Sequence, residues 1–390
     1  MGSQRSPERP RTRGVAHVRP SHRLPPVRRA TRVTGGLRVC LIASSRFPIR
    51  EPFAGGLEAH TSTLATELHR RGNTVSVFAA PGSHLECPVE LLDVPPFRAS
   101  RAARADVAAP PELWMQEHHA YLTLMMRLVR SGAREFDVVL NNSLHHLPVA
   151  MASVLPVPMV TILHTPPVPW LESAIEVAGS GSTFVTVSAA MGRAWAHATT
   201  SHTILNGVDG ARWKPGPGGQ DAVWSGRIAP EKAPHEAIDA ARRSGRAIVL
   251  AGPIMDEDYF EKEVRHRLGP EVRYAGHLGQ EELCRLVGSS EVALVTPTWD
   301  EPFGLVAAEA MSCGTPVAGY ARGGLVEIVT PESGRLATSR DVPALAVAID
   351  AAAGLDRRAV HAHATAAHGL ARMVDDYEAL FASLLLEEAA

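Results

Sequence analysis

The chain reads as an α/β protein made of two doubly wound, Rossmann-like parallel-sheet domains. Three observations predict this. Short apolar runs at residues 37–43, 75–78, 158–163, 247–250 and 292–295 have the length and the missing polar alternation of strands buried on both faces. Segments with helical spacing separate most of them, and strand–helix alternation specifies parallel sheets joined by crossovers. The 390 residues are enough for two domains of ~100–200 residues each. Near mid-chain, residues 206–219 hold five glycines and two prolines, the composition of a linker.

Residues 1–34 carry nine Arg against Glu8 alone, for +8, so the overall −2 leaves −10 on the remainder. An acidic body argues against nucleic acid as the main partner. The Arg- and Pro-rich leader has no apolar centre, which excludes a secretory signal and predicts a disordered basic extension. No apolar run approaches the ~20 residues of a membrane span. Cys40, Cys87, Cys284 and Cys313 form no Cys-x-x-Cys pair and read as reduced core thiols of a cytoplasmic protein.

Order begins with the strand at 37–43. A loop with Pro48, Pro52, Gly55 and Gly56 follows, then a helix at 58–71 stopped by Gly72-Asn73, then the strand at 75–78. This is one β–loop–α–β unit. Further strands are expected at 89–94, 137–140, 158–163, 183–187 and 203–205. The second half repeats the rhythm: strands at 222–224, 247–250, 272–275, 292–295 and 317–318, and helices at 233–243, 256–268, 280–287 and 304–313. A last helix spans 372–386. The expected divisions are 1–34, an N-terminal domain at 35–205, a second domain at 206–370 and a terminal helix at 371–390. The apolar helix around 113–129 reads as core. Arg98, Arg101 and Arg104 ahead of it raise the alternative of a membrane-surface patch. His118, His119, His145, His146, His361, His363 and His368 read as solvated helix residues. Asn141-Asn142-Ser143 matches a glycosylation sequon, but it follows a buried strand.

The densest chemistry lies at 299–316. Glu301 and Glu309 bracket Phe303-Gly304, Pro302 stands where a helix can begin, and Gly314 and Pro316 end it. The amides of Phe303, Gly304 and Leu305 are first-turn donors suited to an anion. Four further places stand out. Gly55-Gly56 enters a helix after the first strand. Arg227 and Lys232 follow a strand end, five residues apart, as a fork and a point charge for a diphosphate. His164 closes an apolar strand and is able to meet a hydroxyl or carry a proton. Gly252-Pro253 and Gly276-His277-Leu278 turn at strand ends, where a flat base could lie against backbone.

Taken together, these strings resemble the GT-B glycosyltransferases of retaining family 4. The resemblance rests on Glu301-Pro302-Phe303-Gly304 with Glu309, Gly226-Arg227 with Glu231-Lys232, Gly55-Gly56-Leu57-Glu58, His164-Thr165, Val187-Ser188, and Asn206-Gly207-Val208-Asp209. They occur in the family's order across 37 to about 330.

The resemblance implies an acceptor-binding first domain, a donor-binding second domain and a terminal helix crossing back to the first. It implies that Arg227 and Lys232 hold the donor's diphosphate and that Gly56, shaped by Gly55, meets the distal phosphate. Glu309 is expected on the ribose, and Glu301 on the transferred sugar with the amides of Phe303, Gly304 and Leu305. His164 is expected near the reacting carbon, His277 and Leu278 beside the base, and Gly252 in the adjoining turn. The expected donor is a UDP-sugar, with no cofactor and no metal, because the cations are protein-borne. The acceptor is expected to be a small molecule, natural product or sugar. A lipid-linked acceptor or a nucleotide-sugar epimerase is the alternative.

Overall fold

The computed structural model describes residues 36–85, 90–92 and 96–387. The basic extension at 1–34 and Cys87 lie outside the described residues.

Among the described residues there are two all-parallel sheets. The first has seven strands: β1 (Arg38–Ile42), β2 (Thr74–Phe78), β3 (Glu90–Leu92), β4 (Val138–Asn141), β5 (Met159–Leu163), β6 (Thr183–Thr186) and β7 (Ser201–Thr203), in the order β3-β2-β1-β4-β5-β6-β7. The second has six: β8 (Ala222–Ser225), β9 (Ile248–Ala251), β10 (Val272–Tyr274), β11 (Val292–Val295), β12 (Val317–Tyr320) and β13 (Gly334–Ala337), in the order β10-β9-β8-β11-β12-β13. Each order reverses once, between β1 and β4 and between β8 and β11. Those are the switch points, where loops at the strands' carboxyl ends diverge and leave a crevice.

The strands alternate between two cores, as a period of two requires. Val39 and Leu41 join one cluster with Leu64 and Leu68 of helix α1 (Gly56–Arg70). Cys40 and Ile42 join another with Tyr121, Leu124, Met125 and Leu128 of helix α2 (Glu112–Glu135). The inward face of α2 is therefore core, as its spacing predicts. The second sheet divides in the same way: Val223 and Val295 face the first cluster, while Trp224 and Leu294 face another.

The short helix α3 (Ala189–Trp195) follows β6, and helix α4 (Leu305–Ser312) follows β11. Helices α5 (Arg357–His368) and α6 (Leu370–Glu387) close the described chain. Helix α6 returns to the first sheet's side. Met373, Val374, Tyr377 and Phe381 of α6 are buried in the cluster that holds Val39 and Leu64. Arg71, just past α1, binds Asp375 at 2.5 Å and Glu378 at 2.9 Å.

Several expectations need correction. The strand expected at 203–205 lies two residues earlier, as β7 at Ser201–Thr203. The helix expected at 256–268 is broken into Glu257–Tyr259, a π turn Phe260–Val264 and a 3₁₀ turn Arg265–Arg267. The edge strand β13 was not expected. His368 is buried at 2 % exposure rather than solvated. His145 and His146 are packed among other rings. Asn141 and Asn142 are fully buried, which removes the sequon from any glycosylating enzyme. Among the described residues no helix is long and apolar enough to cross a membrane, and no cysteine is in a disulfide. The sulfurs of Cys284 and Cys313, distant in sequence, lie 3.8 Å apart.

Candidate active site

The two switch points open onto one cavity of ≈ 360 Å³. The first half contributes Gly55, Gly56 and His164 to its lining. The second contributes Arg227, Lys232, Gly252, His277, Leu278, Glu301, Phe303, Gly304, Leu305 and Glu309. All the candidate residues, drawn from loops up to 254 positions apart in the numbering, thus meet in one place.

The loop after β8 carries the two cations. Arg227 stands 38 % exposed, 3.8 Å from Glu231, so its guanidinium is largely uncommitted. Lys232 ends a 3₁₀ turn, Pro230–Lys232. The Thr296 hydroxyl pins that turn by donating to the Lys232 carbonyl at 2.9 Å. Lys232 Nζ donates to Glu301 Oε2 at 2.6 Å and lies 5.0 Å from the Trp299 ring centroid. Trp299 Nε1 donates to the same Glu301 oxygen at 3.1 Å. The family resemblance assigns these two residues separate phosphate and sugar duties. The structure joins them in one pair, with Trp299 as a third member.

Glu301 is also gripped through its backbone, because the amide of Gly324 donates to its carbonyl at 2.6 Å. A Cβ on Gly323, which has φ +56°, would fall 2.2 Å from that carbonyl oxygen, so the turn admits only glycine. Gly304 is similarly obligatory: its φ is +96° and a Cβ would meet Leu325 at 2.4 Å. It forms the left-handed N-cap from which α4 starts at Leu305. The helix therefore begins three residues after Pro302, with its open end at the cavity. Glu309, one turn further on, is 8 % exposed. Burial pushes its carboxyl up to about 8, so it is mostly protonated at neutral pH and able to donate as well as accept.

Around His164 the structure reveals a relay that the sequence hid. The Thr61 hydroxyl donates to the Leu57 carbonyl at 2.7 Å. Thr61 Oγ1 then accepts from Asn142 Nδ2 at 2.6 Å. That leaves Asn142 Oδ1 to accept from His164 Nε2. Nε2 therefore holds the ring proton, and Nδ1 is an acceptor. Burial, and secondarily His60, holds His164 well below the usual histidine range. His60 packs edge-on at 5.1 Å and is itself pushed to about 4 by burial. The imidazole at this strand end is thus neutral and oriented. It suits a hydrogen bond from a hydroxyl better than proton donation. Asn142 sat in view inside the discounted sequon. His60 lies two residues past Glu58, and the polarity of α1's first turn is the signal that could have found it.

The two halves also touch across the cavity's rim. His277 Nε2 pairs with the Phe53 carbonyl at 2.8 Å. Glu51 accepts from the Gln280 amide at 2.9 Å and from Arg212 at 3.0 Å. A Cβ on Gly56 would sit 3.6 Å from Leu305. Gly252, with φ +140°, would drive a Cβ to 1.9 Å from the Gly226 carbonyl, so the two strand-end turns nest only because residue 252 is glycine. The chain does hold one Asp-x-Asp string, Asp256-Glu257-Asp258, a pattern able to bind a divalent cation. It lines a different cavity, beside His235 and Tyr259, and Asp256 caps its own helix by accepting from the Tyr259 amide. Among the described residues no group of three or more His, Cys, Asp or Glu is placed to hold a metal.

The comparisons with known proteins follow the same lines. The model of glycosyl transferases group 1 matches residues 212–363, and that of Glycosyltransferase Family 4 matches residues 54–212. A glycogen synthase of Mycobacterium tuberculosis is 29% identical over 355 residues, covering 78% of this chain and 85% of that protein. A D-inositol 3-phosphate glycosyltransferase of Mycobacterium marinum is 35% identical over 133 residues, 32% of this chain and 28% of that one. Among solved structures, Anabaena HepE with UDP-glucose superposes with a TM-score of 0.69 at 21% identity, covering 89% of this chain and all of that one. AviGT4, involved in avilamycin A biosynthesis, gives 0.65 at 24% identity, covering 90% and 98%.

Fold and site define a GT-B enzyme, a nucleotide-sugar-dependent glycosyltransferase. The chain belongs to glycosyltransferase family 4, whose two models together span residues 54–363.

Proposed function

We propose that the protein is a retaining glycosyltransferase that moves a sugar from a UDP-sugar to a hydroxyl of a small-molecule or glycan acceptor, without a metal ion. The observation that carries this reading is the meeting, in one cavity between two switch points, of two cations, two carboxyls and a helix start. Arg227 and Lys232 take the diphosphate, with the Gly56 amide toward its distal phosphate. Charge that grows on the leaving phosphate is met by these preset groups, the most effective form of electrostatic catalysis. Glu309 reads the ribose hydroxyls, and His277 and Leu278 flank the base beside Gly252. Glu301, steered by Lys232 and Trp299, reads the transferred sugar beside the amides of Phe303, Gly304 and Leu305. His164 accepts from a sugar hydroxyl through Nδ1.

The acceptor oxygen attacks the anomeric carbon on the face from which the diphosphate departs. The carbon–oxygen bond to the phosphate breaks with its electron pair going to the phosphate. The acceptor's proton follows to that phosphate oxygen, and configuration is retained. The pairing of Glu301 with Lys232 supports a role in binding over one as a nucleophile. The UDP-glucose complex of HepE supports UDP as the first donor to try.

The test is a thermal-shift panel of UDP-, GDP-, ADP- and TDP-sugars in EDTA, followed by product analysis. A UDP-selective shift in EDTA and transfer with retention are expected. Rapid epimer formation without acceptor, or a shift that needs a divalent cation, would overturn the reading.

A further inference from the structure

Beside the cavity, on the first half, four rings from three chain segments form a closed set. Trp114 and His118 come from α2. His146 comes from the segment after β4, and Trp170 from the helix that follows β5. Trp114 stacks on His118 at 5.5 Å and 15°, and Trp170 stacks on His146 at 5.3 Å and 27°. The two stacks meet at 6.4 Å between the histidines and 6.5 Å between the tryptophans. These are ring-contact distances. Beneath them His145 stacks on His146 at 4.4 Å and on the buried Tyr121 at 4.3 Å, which gives the set a rigid floor.

The donor reading uses none of these rings. Yet Trp170 is 63 % exposed and Trp114 37 %, and large aromatic side chains are ordinarily well buried. The set also adjoins the cavity along the chain. Leu144, which lines the cavity, directly precedes His145-His146. Thr165, which also lines it, opens the loop to Trp170, and its carbonyl is held by Trp195 Nε1 at 2.8 Å. Arg46 at the junction is paired with Glu117 at 2.9 Å.

We propose that this four-ring surface is the acceptor subsite and that it binds the flat face of a pyranose in a neutral saccharide. The proposal rests on the transferase reading above. An aromatic ring carries negative charge on its face, which attracts the C–H groups of a sugar's apolar face. Burial lowers His145 to about 3 and lowers His146 as well, so these two rings are uncharged at neutral pH. With Arg46 already paired, the surface favours a neutral ring over a phosphate or an anionic headgroup.

The experiment measures binding of maltotriose, cellotriose and mannotriose to the UDP-loaded full chain by titration calorimetry. Trp170→Ala and Trp170→Phe are run in parallel, and the UDP thermal shift is recorded for each. At least one trisaccharide is expected to bind. Trp170→Ala should weaken it by about tenfold, Trp170→Phe should restore most of the loss, and the UDP shift should be equal in all three proteins. Absence of saccharide binding in a protein that keeps its UDP shift overturns the subsite. So does affinity indifferent to Trp170→Ala, or Trp170-dependent binding to phosphatidylglycerol vesicles in place of saccharide. Loss of the UDP shift in the unmutated protein, with Trp170-dependent saccharide binding intact, overturns the donor assignment and leaves the subsite standing.

Discussion

Lys232 Nζ and Glu301 Oε2 lie 2.6 Å apart with side chains only 20 % and 13 % exposed. The pair links the loop after β8 to the loop before α4, the two arms of the second sheet's switch point. On the proposed reading, a donor entering between them would set its phosphate on the lysine side and its sugar on the glutamate side. Each residue sets the other's position.

This coupling makes the two single variants unequal. Glu301→Gln keeps a group that can still accept from Lys232 and Trp299, so UDP affinity should stay within a few-fold. Turnover should fall by roughly 10²-fold or more, the scale of losing one preset electrostatic contact. Lys232→Ala should weaken UDP binding and also lower stability by about 1–3 kcal/mol, because it strands a half-buried carboxylate. Calorimetric UDP titration and denaturant melts check both. A large loss of UDP affinity in Glu301→Gln would count against its place on the sugar.

Glu309 predicts a pH effect with a definite sign. Its folded pKa, raised to about 8 by burial, lies well above the ~4.3 of an unfolded glutamate. Between those values the folded state binds more protons than the unfolded, so stability falls as pH rises through that window and levels off above it. In the nucleotide-free protein, Glu309→Gln should flatten this fall. Relative to the unmutated chain it should gain most at pH 8 and least at pH 4. Melting curves across that range decide it, and parallel pH profiles for the two proteins would refute it.

The Asn142 relay predicts a turnover defect without a nucleotide defect. Asn142→Ala removes the acceptor that holds His164 Nε2 and leaves that buried N–H without its partner. The expected cost is about 1–3 kcal/mol at the transition state, roughly 5- to 150-fold in kcat. UDP affinity should be preserved, since no link in the relay reaches Arg227 or Lys232. Steady-state kinetics beside UDP titration separates the two. An equal loss in both would mean that Asn142 supports the fold rather than the imidazole.

What the sequence disclosed follows from what each feature depends on. Strands β1, β5, β9 and β11 were legible because a parallel strand covered on both faces must be apolar throughout. Two of the edge strands, β7 and β13, were not. Gly334–Ala337 has no apolar run, and the polar Ser201–Thr203 is followed by Ile204-Leu205, which draws the reading two residues late. The helix after β9 has the right composition, and only the π turn at Phe260–Val264 breaks it. The lining of the cavity was legible because glycines, cations and acids at strand ends leave a local pattern. The contact of Lys232 with Glu301, 69 residues apart, leaves none. Nor does the burial of His368, or the stacking of His145 and His146 beside Trp170. Polar residues do not announce a partner that arrives from another segment.

Tyr377 offers a test of the return of α6 onto the first sheet. Its ring is fully buried among the residues that hold α6 against α1. Its hydroxyl finds no hydrogen-bond partner among the described residues, and burial raises its pKa. A buried hydroxyl without a partner costs about 1–3 kcal/mol, while the ring contributes packing whose removal costs about 3–5 kcal/mol. Tyr377→Phe should therefore be neutral or stabilising, and Tyr377→Ala strongly destabilising. Urea melts of the two variants check this. If Tyr377→Phe lost stability by more than about 1 kcal/mol, the hydroxyl would have to be bonded, and α6 would sit differently against α1.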